Sequence, residues 1–383
     1  MSRFRLYPTP EQEQQLLTYC GHARFIWNVA LEQFNHGTPG RRTPNLLEQS
    51  RQLTEARHEF DWLREVPTVI GQQALRDFDQ ARQNWRSGTH GRPTWRKAGR
   101  HEGFRIIDRH GLRVEQLNRR WSQVRISGIG WVRFLRSQDV PDAKSFRVTR
   151  DSSGRWHIAF AAIPSPIPAP GNCEVVGVDR GVAVTLAYST GEMRHAPKPV
   201  SVKAAAQALS RCKRGSNRRA KARRHLARMH ARNADRRRDF IEKTTTDLAK
   251  RFDRIRVEDL RIRDMTRSAR GTLEEPGRNV RAKTGLNRSI MSGGWGMFTQ
   301  RLEAKAPLRV ERVNPAYTSL TCSVCRTVDR EARESQAVFR CRSCGHTVNA
   351  DVNAACNIAA GRAVRGAEKS SASKRRPQRA PGA

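Results

Sequence analysis

Two Cys-x-x-Cys pairs, Cys322/Cys325 and Cys341/Cys344, stand fifteen residues apart near the carboxyl end of the 383-residue chain. Thiolates hold zinc tetrahedrally, and two knuckle turns facing one another across a short hairpin supply four sulfurs without a pre-existing core. The spacing therefore predicts a zinc ribbon. Four thiolates leave no open coordination position, so the zinc is expected to be structural. Disulfides are the alternative for such pairs, but Cys20, Cys173, Cys212 and Cys356 lie elsewhere in the sequence, and the pattern suits a reducing compartment. Those four are expected to be buried thiols.

Seven residues beyond Cys344, Asp351 opens the stretch Asn349-Ala-Asp-Val-Asn-Ala-Ala-Cys-Asn-Ile-Ala-Ala360, whose small side chains predict a helix packed closely on a sheet. An aspartate in a first turn can be a simple helix-terminus charge. Two further acids argue otherwise. Val175-Val-Gly-Val-Asp179 is a buried strand that ends in a carboxylate, and burying a carboxylate is costly unless a metal or base pairs with it. Arg254-Ile-Arg-Val-Glu-Asp-Leu260 repeats the pattern, with Glu258 after Val257. Asp179, Glu258 and Asp351 can converge from distant positions to hold two divalent cations about 4 Å apart, the arrangement that cuts phosphodiesters. Oxygen donors suit Mg2+ or Mn2+ and need neither cysteine nor histidine.

Charge points to the same partner. Lys and Arg number 73 against 36 Asp and Glu, a net charge of +37, which calls for a polyanion. Nucleic acid fits. An anionic membrane does not, since no apolar run of about 18 residues and no secretory leader pattern is present. Between Arg211 and Arg238 thirteen cations meet one acid, Asp235. Residues 201–250 are read as a basic helical hairpin, with Arg218, Arg219, Arg223 and Arg224 as phosphate contacts rather than a merely solvated face.

The rest of the chain divides by period. Ser2 to Tyr7 alternates as a strand, and Thr9-Pro-Glu11 starts a helix. Helical spacing continues to Trp85, and the helix around Gln72, Gln73 and Arg76 is a candidate nucleic-acid reader, its aromatics serving equally as core. Residues 86–101 form a Gly-, Pro- and Arg-rich connection. From Phe104 to Phe160 the period is two, predicting a small antiparallel barrel that the first strand joins. Residues 264–292 are polar and glycine-rich and are read as a loop over substrate or as disorder. A basic tail from 361 is expected to be disordered.

Val176-Gly-Val-Asp-Arg-Gly181, Val257-Glu-Asp-Leu260, Tyr317-Thr-Ser-Leu-Thr-Cys-Ser-Val-Cys325 and Ala350-Asp-Val-Asn-Ala-Ala355 closely resemble the TnpB family of transposon-encoded RNA-guided nucleases, relatives of miniature type V CRISPR effectors. Leu6-Tyr-Pro-Thr9, Arg24-Phe-Ile-Trp-Asn28 and Asn233-Ala-Asp-Arg-Arg-Arg-Asp-Phe240 agree, so the resemblance covers about residues 3–360. It implies a multidomain α+β protein: a wedge-type β-barrel (residues 1–10 and 101–170) interrupted by a helical recognition bundle (11–100). An RNase H-like (RuvC) nuclease domain follows (171–315 and 349–360) with a zinc-ribbon target-nucleic-acid-binding insert (316–348). By motif match, Asp179, Glu258 and Asp351 are the catalytic acids and Cys322, Cys325, Cys341 and Cys344 the zinc ligands.

The resemblance further implies a guide RNA and target double-stranded DNA as partners, a monomer or homodimer on one RNA, and a place in the bacterial cytoplasm at the nucleoid. Sequence choice is then delegated to guide pairing, with a short flanking motif read by protein. Arg180 departs from the family pattern, in which an apolar residue often follows the first aspartate, and is expected to affect metal affinity. Alternatives are an RNA-guided DNA-binding protein that does not cut, a CRISPR-associated effector, a DNA-joining transposase and a non-catalytic zinc-ribbon RNA-binding protein. Retention of all three acids favours cutting.

Overall fold

The computed structural model of the protein describes residues 2–37, 43–108 and 112–361. The tail beyond Gly361 lies outside the described residues. Two compact units are present, the described parts of Met1–Pro164 with Val200–Arg232, and of Ser165–Pro199 with Asn233–Ala383.

The first unit begins with β1 (Ser2–Tyr7), then α1 (Pro10–Asn35), α2 (Leu46–Glu59), α3 (Asp61–Arg64) and α4 (Thr68–Arg86). Thr9 and Gln12 form a reciprocal capping box with Pro10 at the first helical position, so the chain leaves β1 and turns directly into helix. Six strands follow: β2 (Gly103–Ile107), β3 (Val114–Gln116), β4 (Trp121–Ile126), β5 (Gly130–Leu135), β6 (Ser145–Arg150) and β7 (Trp156–Phe160). The sheet order is β2-β6-β7-β1-β5-β4-β3, antiparallel throughout, and the amino-terminal strand sits at its centre. Alternation places Phe4, Phe134, Phe146 and Phe160 inside, where their rings meet at centroid distances of 5.3 to 6.2 Å. Leu16 and Trp27 of α1 and Ile70, Leu75 and Phe78 of α4 join the same core, so barrel and helices fold as one body.

The second unit is built on β8 (Val175–Asp179), β9 (Leu186–Tyr188) and β10 (Met193–Arg194). The chain then passes through α5 (Lys203–Ser210) and α6 (Asn217–Arg251) to β11 (Arg254–Glu258), α7 (Ile262–Met265), α8 (Val280–Gly293), α9 (Trp295–Lys305) and β12 (Val310–Val313). The five strands order as β10-β9-β8-β11-β12, antiparallel among the first three and parallel from β8 to β12. A two-stranded hairpin, β13 (Val338–Arg340) and β14 (Thr347–Asn349), leads into α10 (Ala350–Ala359).

Three expectations are corrected. The helical hairpin is unequal, eight residues against thirty-five, and its basic part, 200–232, belongs with the barrel rather than with the nuclease sheet. In α6 the buried side chains all lie between Ile241 and Ala249, in the portion assigned to the second unit. Residues 280–293, read as loop, are helix. Tertiary contacts hold it: Ile290 is buried, Lys283 donates to the Met265 carbonyl, and Asn287 to that of Thr266. Cys173 is exposed at positive φ, and Cys212 and Cys356 are half-buried, so only Cys20 of the four remaining cysteines is fully buried.

Candidate nuclease site and zinc ribbon

Parallel register sets Val178 beside Val257, so Asp179 and Glu258 come next at the carboxyl ends of adjacent strands. This is the edge where ligands bind in open α/β sheets. Apolar residues anchor both strands: Val176, Val178, Ile255 and Val257 are fully buried. The third acid comes from α10. Its N-cap Asn349 accepts from the amides of Asp351 and Val352, which fixes Asp351 in the first turn. Gly177 lets α10 lie against β8, because a Cβ there would overlap the Ala355 carbonyl oxygen and the Ala359 nitrogen. At Gly181 a Cβ would sit 3.8 Å from Asp351 Oδ2, which places that carboxylate beside the turn after Asp179.

The structure thus brings Asp179, Glu258 and Asp351 together. Burial pushes the Asp179 carboxyl up to about 7, and the charges of Glu258 and Asp351 push the same way. Burial also raises Glu258, although the Thr318 hydroxyl donates to its Oε1 at 2.6 Å. The charges of Glu258 and Asp351 help to keep Asp179 protonated, and carboxylate oxygens are the donors that Mg2+ or Mn2+ takes, although among the described residues the four cysteines are the group whose ligand atoms close to within 4.8 Å of one another. Arg180 is buried and faces the scaffold, donating to the Glu258 carbonyl oxygen and, at 2.8 Å, to Thr299 Oγ1. Its role is to tie the ends of β8 and β11 to α9.

The four cysteine sulfurs lie within 4.8 Å of one another, and all are free thiols. A tetrahedron with zinc–sulfur bonds of about 2.3 Å sets sulfurs about 3.8 Å apart. The Cys322 and Cys344 sulfurs are 3.7 Å apart, those of Cys325 and Cys341 3.5 Å. The donors fit zinc. Each knuckle closes with a left-handed residue after its second cysteine, Gly345 in one and Arg326 in the other. An arginine is strained there, but Arg326 Nη1 donates to Asn357 Oδ1 at 3.1 Å, which supplies a reason for its presence.

The ribbon grips the helix that carries Asp351. Asn353 and Asn357, one turn apart and buried, donate to the Thr321 carbonyl, and Asn357 also donates to that of Thr318. Ser323 N donates to Asn353 Oδ1 at 2.9 Å. From the segment ahead of β13, Arg333 Nη2 reaches Asp351 Oδ1 at 3.2 Å. Sequence reading missed Thr318, Arg333, Asn353 and Asn357. The paired asparagines in the 349–360 stretch, polar residues four apart on an otherwise apolar helix, were the available signal.

The predicted nucleic-acid contacts divide. Gln72 and Arg76 lie on the exposed face of α4, whereas Gln73 is buried and accepts from Arg105 at 2.6 Å. On the basic hairpin Arg218, Arg223 and Arg224 are exposed, but Arg219 donates to the carbonyls of Leu209 and Cys212 and so caps α5. Gln73 and Arg219 are corrected to structural residues. Both errors arise from reading charge and polarity without knowing which helix face is turned inward.

A mixed five-stranded sheet with acids at its parallel edge, and a four-cysteine ribbon inserted before its last helix, define an RNase H-like domain carrying a zinc ribbon. Family models agree segment by segment: "Probable transposase" matches residues 157–269, "Cas12f1-like, TNB domain" residues 295–358, and "Helix-turn-helix domain" residues 2–36, which here form β1 and α1. The chain is 34% identical to the putative RNA-guided DNA endonuclease InsQ of Escherichia coli (strain K12), covering 94% of this chain and 92% of that one. It is 29% identical to a putative RNA-guided DNA endonuclease of Streptomyces pristinaespiralis, covering 94% and 88%. A cryo-EM structure of a Cas12f1–sgRNA–target DNA complex shares the fold at a TM-score of 0.53 and 14% identity, covering 92% of this chain and 83% of that one. The chain belongs to the TnpB family.

Proposed function

We propose that this protein is an RNA-guided DNA endonuclease that hydrolyses phosphodiester bonds of guide-complementary DNA beside a short flanking motif. The observation that carries the reading is the convergence of Asp179, Glu258 and Asp351 from β8, β11 and α10, with Asp179 pushed up to about 7 by burial and by the other two acids. These three carboxylates would hold Mg2+ or Mn2+, which when bound activates water and neutralises charge on the leaving oxygen. The chain's own residues orient the donors: Thr318 fixes one oxygen of Glu258, Asn349 fixes the turn of Asp351, and Arg180 holds the strand ends. Arg333 brings a planar fork of donors beside Asp351, suited to a backbone phosphate.

The four cysteines would hold structural zinc, which keeps Thr318 and Arg333 in place. The partners are a guide RNA and target double-stranded DNA. Arg218, Arg223 and Arg224 contact phosphates, and Gln72 and Arg76 face the flanking duplex. The assignment as wedge barrel (1–10, 101–170), recognition bundle (11–100), nuclease (171–315, 349–360) and target-nucleic-acid-binding ribbon (316–348) belongs to the same reading, with residues 200–232 moved to the barrel unit. So does a bacterial cytoplasmic, nucleoid-associated place, as a monomer or a homodimer on one RNA. No helix among the described residues is long and apolar enough to cross a membrane. A transposon-type nuclease is favoured over a CRISPR effector, because the likeness to InsQ spans 94% of the chain and that to the Cas12f1 of Sulfoacidibacillus thermotolerans only 14%.

The test is to sequence the RNA that copurifies with the protein and use the complex on a plasmid carrying the matching target, with Mg2+ or with chelator. Guide-directed cutting that stops on chelation is expected. Cutting that ignores guide mismatch, or persists without metal, contradicts the proposal.

A further inference from the structure

The four ribbon sulfurs are not equivalent. Each knuckle joins one buried cysteine, Cys322 or Cys341, to one exposed cysteine, Cys325 or Cys344. Zinc holds thiolates, and the thiolate is also the form of cysteine that attacks an oxidant, so exposure decides which sulfur an oxidant meets first. Each exposed sulfur has a buried one close by on the opposite knuckle: Cys341 Sγ lies 3.5 Å from Cys325 Sγ, and Cys322 Sγ 3.7 Å from Cys344 Sγ. An accessible thiolate with a second one poised beside it is the arrangement of a reversible redox site, because the neighbour captures the first oxidation product before it is oxidised further.

The remaining cysteines differ. Burial pushes the thiols of Cys20 and Cys356 up, which keeps them in the unreactive protonated form. Cys173 is exposed and Cys212 half-buried, and neither belongs to the four-cysteine group.

The place of Cys325 gives its oxidation a consequence. Its knuckle grips the helix that carries Asp351: Ser323 N donates to Asn353 Oδ1 at 2.9 Å, and Arg326, the next residue after Cys325, donates to Asn357 Oδ1 at 3.1 Å. The same ribbon supplies the Thr318 hydroxyl to Glu258 and the Arg333 guanidinium to Asp351. Its apolar core is Ala332, Phe339 and Ala350 beside two of the sulfurs, too little to hold these groups once the metal has gone.

We propose that Cys325 and Cys341 form an oxidation site for hydroperoxides, through which the ribbon releases zinc and the nuclease centre is switched off reversibly. The Cys325 thiolate attacks one peroxide oxygen; the O–O bond breaks, hydroxide leaves, and Cys325 becomes a sulfenic acid. The Cys341 thiolate then attacks the Cys325 sulfur, the S–S bond forms, the S–O bond breaks and a second hydroxide leaves. The sulfur pair loses two electrons and the peroxide gains two, while solvent protonates both hydroxides to water. Two thiolates no longer hold the zinc, which departs. Zinc binding by the four cysteines carries this chemistry, and the RNA-guided reading enters only through the effect on cutting.

The experiment uses the full chain with Cys173→Ser and Cys212→Ser, so that the ribbon holds the accessible thiols. Hydrogen peroxide is added with a zinc-sensitive dye present, the products are mapped by mass spectrometry, and cleavage of a guide-matched plasmid is followed in parallel. Stoichiometric zinc release, a Cys325–Cys341 disulfide and full zinc rebinding after dithiothreitol and zinc are expected. The cleavage rate is expected to fall about ten-fold or more and to recover with the zinc, while bound RNA is retained. Zinc that stays bound under peroxide sufficient to oxidise Cys173 in the wild-type chain overturns the proposal. So does zinc release that leaves sulfinic or sulfonic acids and is not reversed by dithiothreitol, or a disulfide confined to one knuckle. Reversible zinc release with cutting unchanged overturns the switch. The zinc and disulfide readouts do not use cleavage, so they stand or fall separately from the RNA-guided reading.

Discussion

The nuclease sheet and the zinc ribbon sit in one unit and are stabilised by opposite means. The sheet has a continuous apolar core, with Val176, Val178, Tyr188, Ile255, Val257, Phe298 and Leu302 all essentially inaccessible, and this core presents Asp179 and Glu258 with no ion required. The ribbon core is five residues, Cys322, Ala332, Phe339, Cys341 and Ala350, and two of those are proposed zinc ligands. So few apolar groups cannot offset the entropy of ordering some thirty residues. The difference divides the active site into a rigid part built by packing and a conditional part built by metal. Asp351 stands on the junction, its helix packed on β8 and also gripped by the ribbon through Asn353, Asn357 and Arg333.

Removing zinc separates the two most sharply. Thiolate sites of this type are worth about 10–16 kcal/mol in isolated fingers, so Cys341→Ser should leave residues 316–349 exchanging freely in hydrogen–deuterium exchange. The amides of β8 and β11 should keep their protection. Loss of protection in both regions together would break the comparison. Adding a methyl at the other side of the junction should act on the sheet instead. Gly177→Ala forces a Cβ into the α10 backbone, and overpacking of this kind costs about 1–3 kcal/mol, here toward the upper end because the obstructing atoms are main chain. A lowered thermal midpoint with zinc stoichiometry unchanged is expected, and an unchanged midpoint would show that α10 is not seated on β8 in solution.

A smaller effect sharpens the junction itself. Asn357→Ala leaves the Thr318 carbonyl and the Arg326 guanidinium without this partner, a loss of about 1–3 kcal/mol. Exchange should rise in residues 318–326 while β13 and β14 are unaffected. If exchange rises nowhere, the asparagine pair does not join the two regions.

Much of this was legible because it is periodic or local. Strand β1, the Thr9 cap, the cysteine spacing and the acids closing two apolar strands each announce themselves within a few residues. That β1 joins the barrel followed from one physical rule, that a lone strand needs partners, whereas its place at the centre of the sheet did not. The groups around the acids were hidden because they act across distance: Thr318 meets Glu258 from 60 residues away and Arg333 meets Asp351 from 18 residues away. No local pattern marks a threonine as a carboxylate's hydrogen-bond donor. Helix α8 was hidden for a related reason, since its glycines and uncapped start weaken its propensity and tertiary bonds hold it instead. Gln73 and Arg219 show the limit of composition. Each carries the right chemistry and points the wrong way.

The central claim is that Asp179, Glu258 and Asp351 perform the cut and do not merely hold the fold. The most direct measurement pairs cleavage with guided DNA binding for Asp179→Ala loaded with its copurified RNA, in magnesium. Loss of a metal ligand should lower the cleavage rate by more than the roughly 10–100-fold seen for outer partners of metal sites, while target affinity stays at the wild-type value. Cleavage by Asp179→Ala at the wild-type rate, in protein shown to be folded, would contradict the account.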